Sequence, residues 1–147
     1  MEPKHFRFWQ KWLTYANAAI VVIGLLIALA GDSFLFAPHN HYTREVFFEG
    51  ASLPPGTAAF KKWLFGIIGA TIVGFHTLMI MISENAFKKQ EKWAYFALWY
   101  GLISWFILDS FISLYYGALY NVVLINLSAL FLLAPPLVAT RKYFFAH

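Results

Sequence analysis

The chain has 147 residues, of which 61% are hydrophobic, 20% aromatic and 12% charged, with a formal net charge of +4 and no cysteine. Soluble domains carry about 25% charged residues, so this composition excludes an ordinary soluble protein and indicates an integral membrane protein. The absence of cysteine excludes disulfides, thiol catalysis and thiolate metal sites. The basic residues lie beside the ends of apolar runs, as membrane anchors do, so we expect no nucleic-acid partner.

A first membrane span is predicted for residues 13–30. Basic and aromatic residues precede it, and Thr14 and Asn17 are its only clearly polar side chains. Because a helix needs about 20 apolar residues to cross the hydrocarbon layer, this run is long enough to serve as a span. Its small-residue end also resembles a signal-peptide cleavage site, but we expect the segment to be retained.

Residues 31–62 are predicted to form one long polar loop, the only sizeable segment outside the membrane. A loop of this length is uncommon and often serves as a lid or a binding loop. His41 and Glu45 would share a face of a helix, whereas His39 and His41 would share a face of a strand, so either would pair two metal ligands. No established ligand spacing is matched, and we favour a solvated cap without a metal. Its phenylalanines would rest on the helix ends: Phe34, Phe36, Phe47 and Phe48.

The second predicted span covers residues 63–83. Gly66, Ala70 and Gly74 recur every four residues and form a small-residue stripe on which another helix would approach closely, within the chain or between protomers. His76 points to a different side, because each residue rotates the helix by about 100°. A lone intramembrane histidine is more often an interhelical hydrogen bond than a haem ligand, so we expect no cofactor.

The third predicted span, residues 93–116, carries a single acid, Asp109. An acid near the bilayer centre costs on the order of 2.5–3.5 kcal/mol on insertion scales, so Asp109 requires a partner or a function. Trp105, Asp109 and Ser113 follow one another at a spacing of four residues and share one face of the helix. We expect that face to point into the bundle.

Gly117 alone separates the third span from a fourth, residues 118–140. Such a short connection predicts that the two helices form a tight antiparallel hairpin. At α-helical spacing, Asn121 and Ser128 share one face of the fourth span, and Asn126 lies on another.

The basic residues also predict the orientation. Eight Lys and Arg residues lie at the two termini and in the connection between the second and third spans, against three in the long loop. By the positive-inside rule, both termini are cytoplasmic and the long loop is outside. The fold class is therefore an all-α, multi-pass protein of the cytoplasmic (inner) membrane, with four transmembrane helices in one antiparallel bundle.

The polar residues of the spans are predicted to meet beneath the outer loop. Asp109 lies about 10 Å from the outer end of its helix, at a 1.5 Å rise per residue, and polar residues of two other spans reach a similar depth. The predicted lining residues are Asp109, Asn126, Ser113, Thr71 and Trp105, with His76 several ångströms deeper.

Three functions are compatible with this arrangement. The favoured one is binding of a lipid or another small apolar ligand in an outward-opening pocket, with Asp109 as the polar anchor. The second is a non-catalytic subunit of a larger membrane complex, or a homo-oligomer, in which the small-residue stripe binds partner helices. The third is an enzyme that acts on a lipid or isoprenoid with Asp109 and His76 as acid and base. Their different depths argue against it, because both must reach one substrate.

Overall fold

The computed structural model describes residues 4–145, and that range contains helices and connections but no β-strand. A short helix, α2 (Ala37–Phe48), follows a 3₁₀ turn at Phe34–Phe36. Four helices are long and apolar enough to cross a membrane: α1 (Lys4–Ala30), α3 (Pro55–Phe87), α4 (Lys92–Tyr115) and α5 (Leu119–Phe145). The prediction of an all-helical chain with four helices long and apolar enough to cross a membrane is confirmed.

The helices extend beyond the predicted spans. α1 begins at Lys4, because the basic and aromatic residues before the apolar run continue the helix. α3 begins at Pro55, where proline suits the first turn since its missing N–H would be unpaired there. The predicted loop is thereby shortened to residues 31–54, here named the cap segment, and α2 lies within it.

Polar side chains join α1 to α3 at two levels. Gln10 Nε2 and Thr14 Oγ1 donate hydrogen bonds to Glu84 Oε1 at 3.0 and 2.8 Å. Farther along, His76 Nδ1 lies 2.7 Å from Asn17 Oδ1. The polar residues of the first predicted span therefore bind partners on α3 rather than facing lipid.

Small residues make the closest approach between the same two helices. A Cβ added to Gly69 would lie 2.6 Å from the backbone nitrogen of Ala28, and one added to Gly24 would lie 2.8 Å from Ile72 Cγ2. Real Cβ atoms essentially never approach closer than 3.0 Å, so only glycine fits at both positions. This is the way in which membrane helices pack without a hydrophobic driving force between them.

The predicted stripe on α3 lies on a different side of that helix. A Cβ added to Gly66 or Gly74 would meet no atom within 4 Å beyond its own helical turns, counting the described residues, and Ala70 is exposed. The helix contact expected of this stripe within the chain is thus made by the face of Gly69 instead. Packing of the stripe between protomers stays a prediction.

An aromatic cluster connects all four spans near the two termini. Phe6 of α1 stacks on Phe87 of α3 with ring centroids 5.8 Å apart. Phe144 of α5 contacts Phe87 at 4.8 Å and Tyr95 of α4 at 5.0 Å. These rings form the aromatic part of the buried core. The opposite ends of α4 and α5, where Asp109 lies, are held by polar contacts.

Candidate functional site

A cluster of polar side chains lies between α4 and α5, around Asp109. Ser113 follows Asp109 by four residues on α4, and its Oγ donates to Asp109 Oδ1 at 3.3 Å. The turn after α4 contains Gly117 at a φ of +73°, a left-handed conformation that glycine adopts without steric cost. This turn brings the start of α5 against the same face of α4.

Two asparagines of α5 donate to the same oxygen of the acid. Asn121 Nδ2 and Asn126 Nδ2 each lie 2.8 Å from Asp109 Oδ1. Each amide also has a serine partner on α4, at 2.9 Å: Asn121 bonds Ser113 Oγ, and Asn126 bonds Ser110 Oγ. Asp109 Oδ1 therefore accepts three hydrogen bonds inside an apolar span.

A π-helical turn explains how both asparagines reach Asp109. The segment Val122–Asn126 is π-helical, with hydrogen bonds from residue i to residue i+5. In a regular α-helix, side chains five residues apart point about 140° away from each other. The wider π turn holds more residues and rotates Asn126 back toward the side of Asn121. The prediction that these two asparagines lie on different faces is wrong for this reason.

Two acceptor atoms of the cluster lack a donor. Asp109 Oδ2 accepts no hydrogen bond from residues 4–145, and the side chain is only partly buried. Asn126 Oδ1 is buried and also lacks a donor within the described chain. The acid is thus held in place through one oxygen, while the other is available to a group that donates a hydrogen bond or carries a positive charge.

Two of the predicted lining residues do not join this cluster. Thr71 is exposed on α3, and its hydroxyl donates to the carbonyl of Ile67 in its own helix at 2.9 Å. Trp105 is half-buried and packs against the hydrophobic core. Of the predicted pocket residues, Asp109, Ser113 and Asn126 are brought together.

His76 belongs to a separate contact between α1 and α3. Asn17 Nδ2 donates to the carbonyl of Leu13 at 2.7 Å, so its oxygen faces His76, and His76 Nδ1 must donate to it. Asp109 lies between α4 and α5 and shares no hydrogen-bond partner with His76. This arrangement gives no support to an acid–base pair. Asn17 was visible in the sequence only as a polar residue within an apolar run.

The cap segment is fastened to α5 beside the polar cluster. Thr43 Oγ1 lies 2.7 Å from the hydroxyl of Tyr120, Tyr42 stacks on the Tyr120 ring at 5.7 Å, and His39 meets that ring edge-on at 5.2 Å. Burial lowers the pKa of His39 below its usual 6.5, and the positive charge of Lys61 lowers it further. α2 therefore covers the residue that precedes the first of the two asparagines.

Other predicted features of the loop are changed by the helix. His41 and Glu45 share the exposed face of α2, with His41 Nδ1 4.0 Å from Glu45 Oε1. The described residues contain no group of three acids or histidines that could hold a metal. Phe34 is 85% exposed, so the prediction that it rests on the helix ends is wrong. Phe47 does lie against Tyr116, at 6.5 Å.

The cap segment also borders two adjoining cavities. The larger, of about 380 Å³, lies between α2 and the start of α3. The smaller, of about 190 Å³, lies beside the end of α1. Asp109 lines neither cavity, so these spaces are separate from the polar cluster between α4 and α5.

Comparison with known proteins gives no relative from which a function could be transferred. No family model matches the sequence, no curated protein matches it, and no solved structure matches the fold.

Proposed function

We propose that this chain is a multi-pass membrane protein that binds a lipid or another small apolar molecule through Asp109. The observation that supports this function is the difference between the two oxygens of the acid. Oδ1 accepts three hydrogen bonds, whereas Oδ2 accepts none from the part of the chain that the structure describes. Because an acid in a span is costly, one that is only half satisfied calls for a partner. The ligand supplies an N–H, an O–H or a cationic group.

The surroundings of Asp109 suit a ligand that is otherwise apolar. Leu108, Phe111 and Ile112 of α4 are exposed to 62, 68 and 55%. Sites between bundle helices commonly combine apolar walls with a few convergent polar groups. An amine, alcohol or amide carried on an apolar body fits this combination.

The proposed topology is an antiparallel bundle in the cytoplasmic membrane with both termini inside. The distribution of eight Lys and Arg residues against three supports this orientation. Asp109 would then lie about 10 Å below the outer end of α4, and the cap segment would cover the bundle from outside. A ligand would reach Asp109 from the outer half of the bilayer.

Native mass spectrometry of the protein, extracted from its own membrane in a mild detergent, tests the proposal. We expect the unaltered protein to retain a small apolar molecule and Asp109→Asn to lose it. Asparagine keeps one oxygen for the donors Asn121 and Asn126, but it replaces the open oxygen with an NH2 group, which donates and cannot accept. The helix contacts therefore survive while the ligand acceptor is removed.

Thr71→Val is the matched control. Thr71 is also a polar residue of a span, yet it bonds only its own helix, so its loss should leave ligand retention unchanged. Equal retention by the unaltered protein and by Asp109→Asn would rule out Asp109 as the anchor. Loss of the ligand from Thr71→Val as well would show that retention does not report on the Asp109 cluster.

A second candidate function is a non-catalytic subunit of a membrane complex, or a homo-oligomer. The observation that favours it is the open space around Gly66 and Gly74, with Ala70 exposed between them. A helix of another chain could approach this side of α3 closely. The double variant Gly66→Leu and Gly74→Leu should then lose assembly on native electrophoresis, while Asp109→Asn assembles normally. Assembly that survives the double variant would remove this candidate.

A further inference from the structure

The larger cavity of the cap segment has the size and position of a ligand site. Its volume of about 380 Å³ falls within the range of about 300–1,000 Å³ that is typical of small-molecule sites. It opens where α2, the turn before it and the start of α3 meet. Its polar lining includes Asp32, Ser33, Asn40, Arg44 and Lys61.

The wall of this cavity carries a net positive charge. Lys61 is only 16% exposed, and its Nζ donates to Asp32 Oδ1 at 3.0 Å and to Asn40 Oδ1 at 2.7 Å. Lys62 Nζ lies 3.4 Å from the other oxygen of Asp32. The hydrogen bond from Lys61 lowers the pKa of Asp32, so this acid is ionised at neutral pH. Lys61 and Asp32 balance each other on this wall, and Arg44 leaves one positive charge.

Two donors beside the cavity have no acceptor among residues 4–145. The guanidinium of Arg44, with five N–H groups, forms no hydrogen bond or ion pair with residues 4–145. The neighbouring acid, Glu45, faces His41 instead. Ser33 Oγ is buried and also lacks a partner among the described residues. An unpaired buried hydroxyl costs free energy, and a bound acceptor would recover it.

We propose that this cavity binds the phosphate group of a phosphate ester, with Arg44 and Ser33 as donors and Lys61 as the supporting charge. A phosphate presents several acceptor oxygens, and the planar fork of a guanidinium matches two of them at once. The smaller cavity shares Asp32 and Ser33 with the larger one and follows residues 27–30 of α1, which are apolar. A phospholipid would place its phosphate in the larger cavity and its glycerol and first methylene groups in the smaller.

Titration of the purified full-length chain in dodecyl maltoside, a detergent without phosphate, tests this site. Phosphatidylglycerol is added in one series and soluble glycerol 3-phosphate in another, and binding is followed by native mass spectrometry. Arg44→Gln should weaken binding by about tenfold or more, as expected for the loss of a charged two-point contact. Arg44→Lys keeps the charge without the fork and should be intermediate. Glu45→Gln is the matched control and should not weaken binding.

Ser33→Ala gives a second readout that a purely structural serine would not give. Removing the unpaired hydroxyl should raise the Tm of the ligand-free protein, because a buried polar atom without a partner is lost. The same variant should bind the phosphate ester more weakly. An unchanged affinity in Ser33→Ala would remove this residue from the site.

Each outcome of the titration has a defined meaning. Arg44-dependent binding of phosphatidylglycerol alone supports a lipid ligand, and Arg44-dependent binding of glycerol 3-phosphate supports a soluble ester. Affinities for both that are unchanged in Arg44→Gln overturn the proposal. Asp109→Asn should leave this binding intact, since Asp109 does not line the cavity, so failure of one site is distinguishable from failure of the other.

Discussion

Replacement of Gly69 with alanine should open the contact between α1 and α3 and destabilise the protein. The added Cβ would lie 2.6 Å from the backbone nitrogen of Ala28 and 2.7 Å from its Cβ. Backbone cannot rotate away as a side chain can, so α1 as a whole must move. Overpacking of this kind costs about 1–3 kcal/mol, and the higher helix propensity of alanine recovers about 1 kcal/mol at most. We expect a net loss of up to about 2 kcal/mol in the free energy of unfolding.

Gly66→Ala and Gly74→Ala are the matched controls for this prediction. Both positions have open space in the described chain, so only helix propensity acts and the free energy of unfolding should stay equal or rise. Unfolding by sodium dodecyl sulfate in mixed micelles, followed by far-ultraviolet circular dichroism, measures all three variants. If Gly69→Ala unfolds with the same free energy as Gly66→Ala, the close approach of α1 and α3 is not what limits position 69.

Two further predictions concern buried polar contacts. Acidification below about pH 6.5 should progressively release α2 from Tyr120. Free histidine protonates near 6.5, whereas burial lowers the pKa of docked His39, so docking is complete above 6.5 and is lost as the pH falls through the lower value. Hydrogen–deuterium exchange of residues 37–48 measures this release, and a pH dependence that persists in His39→Gln would contradict it. Asn17→Leu should lower the free energy of unfolding by about 1–3 kcal/mol, because the ring N–H of His76 is left buried without an acceptor. The double variant Asn17→Leu and His76→Phe should recover part of that loss.

The four spans were predictable because each contains an apolar run long enough to cross a bilayer. The positions where the helices begin were not predictable. The first turns of α1 and α3, residues 4–12 and 55–62, contain basic and aromatic side chains. Such side chains suit a membrane interface whether or not the backbone is helical. Local composition therefore did not distinguish a helical extension from an irregular anchor. The same limit applies to α2, whose sequence has the polar composition of a loop.

The candidate site was predictable in its chemistry and only partly in its geometry. The cost of an isolated acid made a partner for Asp109 necessary, and Asn126 and Ser113 do bond it. Asn121 was missed because a π turn changes which side chains share a face of the helix. No residue type in Val122–Asn126 predicts a π turn there. Thr71 was wrongly placed with these residues because depth alone does not determine which side of a helix faces which neighbour.

The cap segment links the proposed phosphate site to the docking of α2. Arg44 directly follows Thr43, whose hydroxyl lies 2.7 Å from that of Tyr120, so the position that brings Arg44 to the cavity also docks α2 on α5. A ligand that binds only the docked form stabilises docking, by about 2.7 kcal/mol at a hundredfold excess over its Kd. This stabilisation opposes the release of α2 that protonation of His39 causes.

Saturating phosphate ester should therefore keep residues 37–48 protected from hydrogen exchange at an acidity that releases α2 in the ligand-free protein. Arg44→Gln should abolish this protection without changing exchange in the absence of ligand, because the Arg44 side chain forms no hydrogen bond or ion pair with residues 4–145. If bound ester leaves the exchange of α2 unchanged at every pH, the cavity does not depend on the docked position of the helix. Binding at Arg44 and docking at Tyr120 would then be independent events on one short helix.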